Sequence, residues 1–437
     1  MAHVEPRKVL SGWGGVVRVA QAVTAPAWLD EVEGIFKTVQ GPLLAGGLRR
    51  SYGGTGLNPE GVLVEMAGLN RVISFDTESG VLRAEAGATL GDLMRVTLPQ
   101  GWFFATTPGT RHVTLGGAVA NDVHGKNHHS AGTFGCSVRA IGMVRSDTQG
   151  VLVLRPGDAL FAATVGGLGL TGVMAWVEVQ LVKVPGVRMQ VRRRAFGVWD
   201  EFWAMAEASK AEHTVAWVDG LDASGRGIFE EAEWVAGPLP EAGGVEKKPL
   251  LSVPFMLPIT PLNRWTVRAF NALYYRMKQH GPKLEAMENF FYPLDGIGQW
   301  PRLYGSAGFY QYQCVLPKAT MKQALPVLMA EIAASGQASF LAVLKTFGDK
   351  ASPGMMSFPM AGATLALDFP NRRQETLALL ARLDRVVVEI GGRLYAAKDA
   401  RLPVGMFKAQ ENFAAFAGFV DARITSEFWE RVKHDGA

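Results

Sequence analysis

Residues 108–135, PGTRHVTLGGAVANDVHGKNHHSAGTFG, hold six glycines (Gly109, Gly116, Gly117, Gly125, Gly132, Gly135) and four of the chain's eight histidines. Glycine at this density lets main-chain N–H groups approach a ligand where a Cβ would collide. Successive N–H groups in turns form concave anion sites, so a diphosphate is a natural guest. Asn121, Asp122, His124 and Lys126 add directed polar groups. A plain loop needs one or two glycines, and the stretch therefore reads as a cofactor cradle. His124, His128 and His129 are also candidate metal ligands. No cysteine accompanies them at ligand spacing, however, and no metal is expected. Lys126, Lys345 and Lys398 lie in apolar or glycine-rich sequence where a solvated face is not expected. A buried ammonium needs a partner, and an anionic substrate phosphate or a reduced cofactor would supply one.

The elements around these residues follow from spacing. Val16–Ala20 reads as a short strand, and the apolar positions from Trp28 to Val39 recur at helical spacing across 27–40. A strand over 42–45 runs into a second glycine-rich loop, GGLRRSYGG (46–54). Strands are expected at 62–66, 71–75 and 81–86, then a helix from a Thr89/Asp92 capping box to Leu98, ended by Pro99. After the cradle come a strand pair (138–145, 151–154), a helix (158–164) and a strand (173–184). The string GLGLTG at 167–172 matches GxGxxG but follows a helix and precedes a strand, the reverse of the dinucleotide fingerprint, so a Rossmann unit is rejected. Arg192–Arg194 reads as the end of a strand. Beyond Pro185 the chain becomes rich in Trp and Phe. Residues 237–248 form a turn-rich loop, and Val253–Leu257 is an exposed-looking apolar run preceded by Lys247 and Lys248. Strands at 308–316, 340–345 and 360–367 alternate with helices at 318–334 and 371–391. The segment after Leu394 is too small to hold its own core and must pack back. The expected fold is α+β, with divisions at 1–185, 186–392 and 393–437.

At 437 residues, 48% hydrophobic and 19% charged, the composition is that of a folded chain of more than one domain. A net charge of +4 suits an anionic ligand or acidic membrane surface, and no basic block is dense enough for nucleic acid. Cys136 and Cys314 make neither a disulfide framework nor a metal spacing. No apolar run of membrane-spanning length and no signal-like N-terminus occur, so a cytoplasmic location is expected, with peripheral contact at the inner membrane as a further expectation.

Two glycine-rich loops some sixty residues apart, without a Rossmann fingerprint, resemble the vanillyl-alcohol-oxidase-type (PCMH-type) FAD-binding fold. Within it the chain resembles the decaprenylphosphoryl-β-D-ribose 2′-oxidase family. The resemblance rests on GGLRRSYGGTGLN (46–58), the whole of 108–135, ATVGGLGLTGV (163–173), QYQ (311–313), LKTFG (344–348), LALDFP (365–370) and GGRLYAAKD (391–399), in one order along most of the chain.

That resemblance implies FAD held in the first part of the chain, its diphosphate between 46–54 and 108–118. Gly46, Gly47, Arg50, Ser51, Tyr52, Gly53, Pro108, Gly109, Thr110, Thr114, Gly116, Gly117, Asn121, Gly172 and Val173 are implied around it. His124, Gly125, Lys126 and Tyr395 are implied near its ring system. Tyr52 stands where covalent members of the wider superfamily place a linking histidine, so non-covalent FAD is implied. Lys398, Gln313 and Tyr395 are the implied catalytic residues, with Lys126, Trp217, Gln311, Lys345, Thr364 and Ala366 toward the substrate. The implied reaction oxidises a secondary alcohol to a ketone, at the 2′-hydroxyl of a polyprenyl-phosphoryl ribose. A short-chain NAD(P)-dependent reductase partner would then complete epimerisation to arabinose for cell-envelope arabinan. The chain departs from the family at Ala366, where an inhibitor-reactive cysteine is usual, at Thr364 (asparagine), and at Phe291-Tyr292 (Tyr-His). Another sugar or aldonolactone oxidase of this fold, or a non-catalytic flavin-binding subunit, are the alternative readings.

Overall fold

The structure is a computed structural model and describes residues 4–241, 249, 251–258, 260–337, 339–398 and 400–434. Lys247 and Lys248 lie outside the described residues. Strands up to Lys183 form two sheets. The first has four strands in the order Glu5–Ser11, Arg18–Thr24, Val62–Glu65, Leu43–Gly46. The second centres on the long strand Val173–Lys183, which pairs antiparallel with Val81–Glu85, Trp102–Phe104 and Val138–Val144. From Ala175 to Leu181 this long strand alternates: Ala175, Val177, Val179 and Leu181 are buried, while Trp176, Glu178 and Gln180 are only partly covered.

From Arg188 onward the strands build an eight-stranded sheet in the order His280–Ala286, Arg188–Phe196, Gly227–Val235, His213–Val218, Ala342–Phe347, Gly362–Pro370, Phe309–Pro317, Arg393–Leu394. One face is apolar: Ala342, Leu344, Ala363, Leu365, Leu367, Cys314 and Leu316 join one core with Leu325 and Leu328 of the helix Met321–Ser335 and Leu379 and Leu383 of the helix Gln374–Glu389. The opposite face carries the polar residues considered below. The tail returns to the first sheet: Leu43 N donates to Arg423 O at 2.8 Å, Glu427 N donates to Leu57 O at 2.8 Å, and Ile424 bridges Leu43.

Several expectations are corrected. The helix expected over 27–40 is broken at Gly34 into Leu29–Glu33 and Ile35–Thr38, since glycine weakens the helix at its midpoint. The strand Glu5–Ser11, EPRKVLS, was hidden by its charges; it is an exposed edge strand. Arg192–Arg194 does not end a strand but lies within Arg188–Phe196. The cradle is not all loop. Thr114 caps a short helix, Leu115–Ala120, through a 3.2 Å bond from Gly117 N, and its glycines pack closely rather than breaking it.

Candidate flavin and substrate site

Three glycine-bearing segments converge on the short helix Leu115–Ala120. Leu115 N and Gly116 N donate to Ala88 O and Ala86 O, both at 2.8 Å, fixing its start. At its end, Gly166 N reaches Val119 O and Leu168 N reaches Ala120 O. The loop after Leu43–Gly46 lies against its cap: a Cβ on Gly47 would overlap Thr114 Oγ1. Arg50 Nε donates to His112 O at 2.9 Å and its guanidinium stacks on Trp13. Burial lowers the Arg50 pKa, and Asp295 partly restores it.

These segments form one side of a cavity of about 910 Å³. Gly56, Gly109 and Gly169 line it, and a Cβ added to any of them would meet no protein atom within 4 Å. The main chain is therefore bare toward open cavity space, the condition for close approach of a diphosphate or a flat ring. Asn121 Oδ1 and His124 Nδ1 are buried without a partner among the described residues. Buried polar atoms of this kind call for a ligand or water. On these observations the residues fit FAD.

The polar face of the large sheet forms the opposite side, and strand register decides which side chains reach it. Directly opposed residues of an antiparallel pair share a face. The pairs Gln311↔Asp368, Gln313↔Ala366, Val343↔Ala366, Lys345↔Thr364 and Trp217↔Val343 therefore place all these residues on one side. Lys398 joins them from the returning tail, where Tyr52 N donates to Ala397 O at 3.0 Å and Tyr395 OH donates to Asn121 O at 2.7 Å.

The electrostatics divide the cavity. Gln311 Nε2 donates to Asp368 Oδ1 at 2.6 Å and to Tyr52 OH at 3.2 Å, and the Lys398 ammonium stands 4.6 Å from the Tyr52 ring centroid. Burial raises Asp368 to about 7, opposed by the Gln311 bond and the Lys398 charge. Burial lowers Lys398 to about 8, and Asp368 acts against that fall. Tyr52 is driven well above its ordinary value by burial and Asp368, and stays a phenol. Burial, with the Lys345 charge, drives His124 well below its ordinary value. The neutral ring accepts at Nε2 from Gln313, 2.9 Å away. Gln313 also donates to Thr364 Oγ1 at 3.2 Å. Across the cavity, Arg193 pairs with Glu230 at 3.0 Å and with Glu285 at 2.6 Å. Lys126 is held there by the Phe290 carbonyl, its charge offset by Glu230 and Glu285, and burial lowers it to about 8. Lys345 differs. Burial lowers it to about 7, and the charges acting on it, those of Lys126 and Lys398, push the same way.

Most of the residues expected from the sequence line this cavity: Gly46, Gly47, Arg50, Ser51, Tyr52, Pro108, Gly109, Thr110, Thr114, Gly116, Gly117, Asn121, His124, Gly125, Lys126, Gly172, Trp217, Gln311, Gln313, Lys345, Ala366, Tyr395 and Lys398. Gly53, Val173 and Thr364 do not. Gly53 packs its carbonyl on Gly12, Val173 points into the apolar core by strand alternation, and Thr364 lies behind Gln313, donating to Cys314 O. At the departure 291–292, Phe291 lines the cavity while the Tyr292 hydroxyl is buried against Thr107 Oγ1 at 2.7 Å. Sequence reasoning missed Glu230 as a cavity residue, its partner Arg193, and Glu285, which also pairs with Arg193. The signal available was a pair of acids, Glu230-Glu231, inside the apolar strand Gly227–Val235, facing Arg193 and Arg192 in register.

A family model described as an FAD binding domain matches residues 20–154. A decaprenylphosphoryl-beta-D-ribose oxidase from Mycolicibacterium smegmatis is 34% identical over 424 residues, covering 92% of this chain and 91% of that protein. An uncharacterized protein from Streptomyces coelicolor is 33% identical over 373 residues, 79% of this chain and 99% of its own length. A D-lactate dehydrogenase from Anaerostipes hadrus is 26% identical over 134 residues, 29% of this chain and 28% of that protein. The likeness to the mycobacterial oxidase extends over 92% of this chain, and this chain belongs to the decaprenylphosphoryl-β-D-ribose oxidase family of FAD-dependent oxidoreductases.

Proposed function

We propose that this chain oxidises the 2′-hydroxyl of a polyprenyl-phosphoryl ribose to a ketone, using non-covalent FAD. The observation that carries the reading is the facing of bare glycine main chain by a sheet wall of Gln311, Gln313, Lys345 and Ala366 in one cavity. Gly46–Gly53 and Pro108–Gly117 would hold the diphosphate, and His124, Gly125 and Tyr395 the ring system. FAD, when bound, supplies the electron acceptor for breaking the carbinol C–H bond. Lys398 and Gln313 polarise the hydroxyl oxygen, and the Lys398 ammonium stabilises negative charge gathering there. Lys345 meets the phosphate, because its charge lacks the carboxylate offset that Lys126 has from Glu230 and Glu285. The sheet division supports a boundary near Pro185, with the segment after 392 completing the flavin side.

A keto product must be reduced again to yield the epimer, so a short-chain NAD(P)-dependent reductase is the expected partner. A polyprenyl tail also requires access from a bilayer. Among the described residues no helix is long and apolar enough to cross a membrane, so this access would be peripheral. Anaerobic flavin bleaching across a panel of polyprenyl-phosphoryl sugars tests the reading. Lipid-linked ribose should bleach the flavin fastest. Faster bleaching by free sugars or aldonolactones, with peroxide release in air, would overturn the substrate assignment, and no bleaching with any substrate would overturn catalysis.

A further inference from the structure

The helix Arg264–Met277 is built inside out on one side. Val267 and Asn271 are buried, and Tyr274, near the same side, lines the cavity. On the outward side Trp265 is 75% exposed, Leu273 57% and Met277 69%. At 3.6 residues per turn, Trp265, Ala269, Leu273 and Arg276 fall within an arc of about 80° opposite Val267. The chain leading into the helix continues the pattern, with Leu251 at 71%, Phe255 at 63% and Met256 at 51% exposure. Exposed apolar side chains gathered in this way mark an interaction surface.

Its charge says which kind. No Asp or Glu occurs from 249 to 284, a stretch that carries Arg264, Arg268, Arg276, Lys278 and Lys283. A helix with aromatic and aliphatic residues outward, flanked only by arginine and lysine, matches the lipid–water interface, where apolar groups enter the acyl boundary and cations meet anionic headgroups. A protein partner would leave these cations to find acidic residues of its own. The position supports the same choice, since Pro249, Tyr274, Ile297 and Gly298, from the same region, line the cavity. We propose that the helix Arg264–Met277 and the apolar segment before it dock this protein on an anionic lipid surface, with the cavity mouth set against the bilayer. This rests on the reading that the substrate is lipid-linked.

The test uses the full-length flavin-loaded protein and vesicles of phosphatidylcholine alone or mixed equally with phosphatidylglycerol. The wild type should co-sediment with the mixed vesicles, at least about tenfold more strongly than with neutral ones, and release as salt is raised. Trp265→Glu/Leu273→Glu/Met277→Glu should lose this binding while keeping its flavin absorbance and thermal transition. Arg264→Gln, Arg268→Gln and Arg276→Gln should each weaken it about fivefold. Absence of wild-type binding, or equal binding by the triple variant, would overturn the proposal. So would a wild-type dimer that the triple variant dissolves without any change in vesicle binding. Anaerobic bleaching by a short-chain, water-soluble phosphoryl ribose should be equal in wild type and triple variant. If no lipid-linked or short-chain ribose bleaches the flavin but vesicle binding still follows this face, the substrate reading fails and the docking surface stands.

Discussion

Three lysines look alike in sequence and differ in the cavity because of what surrounds each. Lys126 is bonded to a carbonyl and offset by two carboxylates, Lys398 shares its corner with Asp368, and Lys345 faces other cations. Lys398→Ala should therefore abolish turnover while FAD stays bound, since the glycine loops and not this ammonium hold the cofactor. Loss of preorganised charge of this kind costs about 10²–10³ in rate. It should appear in kcat more than in KM. A flavin-loaded Lys398→Ala protein reduced anaerobically at the wild-type rate would end this assignment. For Lys345 the test is pH. Its pKa near 7 means the ammonium is present below that pH and is lost above it. The value of kcat/KM, which reports free-enzyme groups, should fall as pH rises through 7 with a phosphorylated substrate. Lys345→Arg should move that fall upward, toward the range near 8 where Lys398 titrates. The stability sign runs opposite. A folded pKa below the unfolded value near 10.5 means the folded state binds fewer protons, so the cost of burying Lys345 is full below about 7 and is relieved as pH rises toward 10.5. Lys345→Met should consequently raise the melting temperature at pH 6, and by less at pH 9. An unchanged or lowered melting temperature at pH 6 would count against burial as the cause.

At the scale of elements, the glycine segments do two different jobs, which single substitutions can separate. Gly47 lets one loop touch the Thr114 cap, whereas the space before Gly109 holds no protein atom within 4 Å. Gly47→Ala should lower the thermal stability of the apoprotein as well as FAD affinity. Gly109→Ala should leave the apoprotein melt unchanged and weaken FAD alone, read by fluorescence titration; equal effects of the two on the melt would contradict the distinction. The glycine segments were legible in sequence because glycine density has a direct backbone meaning. The strands 309–317, 342–347 and 362–370 were legible within a few residues because their apolar face alternates with period two. What could not be read was which strand pairs with which. The register Lys345↔Thr364 and Gln313↔Ala366 brings the polar face together with Thr364 behind Gln313, and the separate pairing Val215↔Glu230 puts Glu230 on the cavity side. The helix Arg264–Met277 escaped because Trp265, Leu273 and Met277 lie on its exposed side, against the rule by which apolar spacing marks a buried face. Gly34 likewise broke a pattern whose apolar spacing alone indicated one helix.

Over the whole molecule, the last part of the chain comes back to complete one side of the cavity, adding Tyr395, Ala397 and Lys398 to its lining. Tyr395 and Lys398 are carried on a segment that starts at the edge of the large sheet, pairing Leu394 with Cys314, and ends against the first sheet. One fastening of the return is Arg423, whose guanidinium donates to Phe36 O at 2.6 Å, Val39 O at 2.5 Å and Gly41 O at 2.8 Å. Asp421 backs it, accepting from Ser146 N at 2.8 Å and Ser146 Oγ at 2.6 Å. The Phe36 carbonyl belongs to the last turn of Ile35–Thr38 and those of Val39 and Gly41 lie just beyond it, so Arg423 also satisfies carbonyls that the end of this helix leaves without intrahelical partners. Hydrogen bonds from a charged donor contribute about 1.5–3 kcal/mol each but are not additive, and water can replace the one to Gly41. Arg423→Ala should thus cost about 2–3 kcal/mol in all. The loss should be registered at the flavin, some distance along the chain. Loosening the tail frees Tyr395 from Asn121 O and Ala397 O from Tyr52 N, and with them the support of Lys398. The expected result is a lower temperature for flavin release, followed by its fluorescence, together with faster proteolysis between 400 and 434 and a lower kcat at saturating substrate. Arg423→Lys, which keeps one cation within reach of these carbonyls, should recover part of all three. If Arg423→Ala shortens survival of the tail under protease but leaves flavin release and kcat at wild-type values, the tail is a brace for the first sheet and not a wall of the active site.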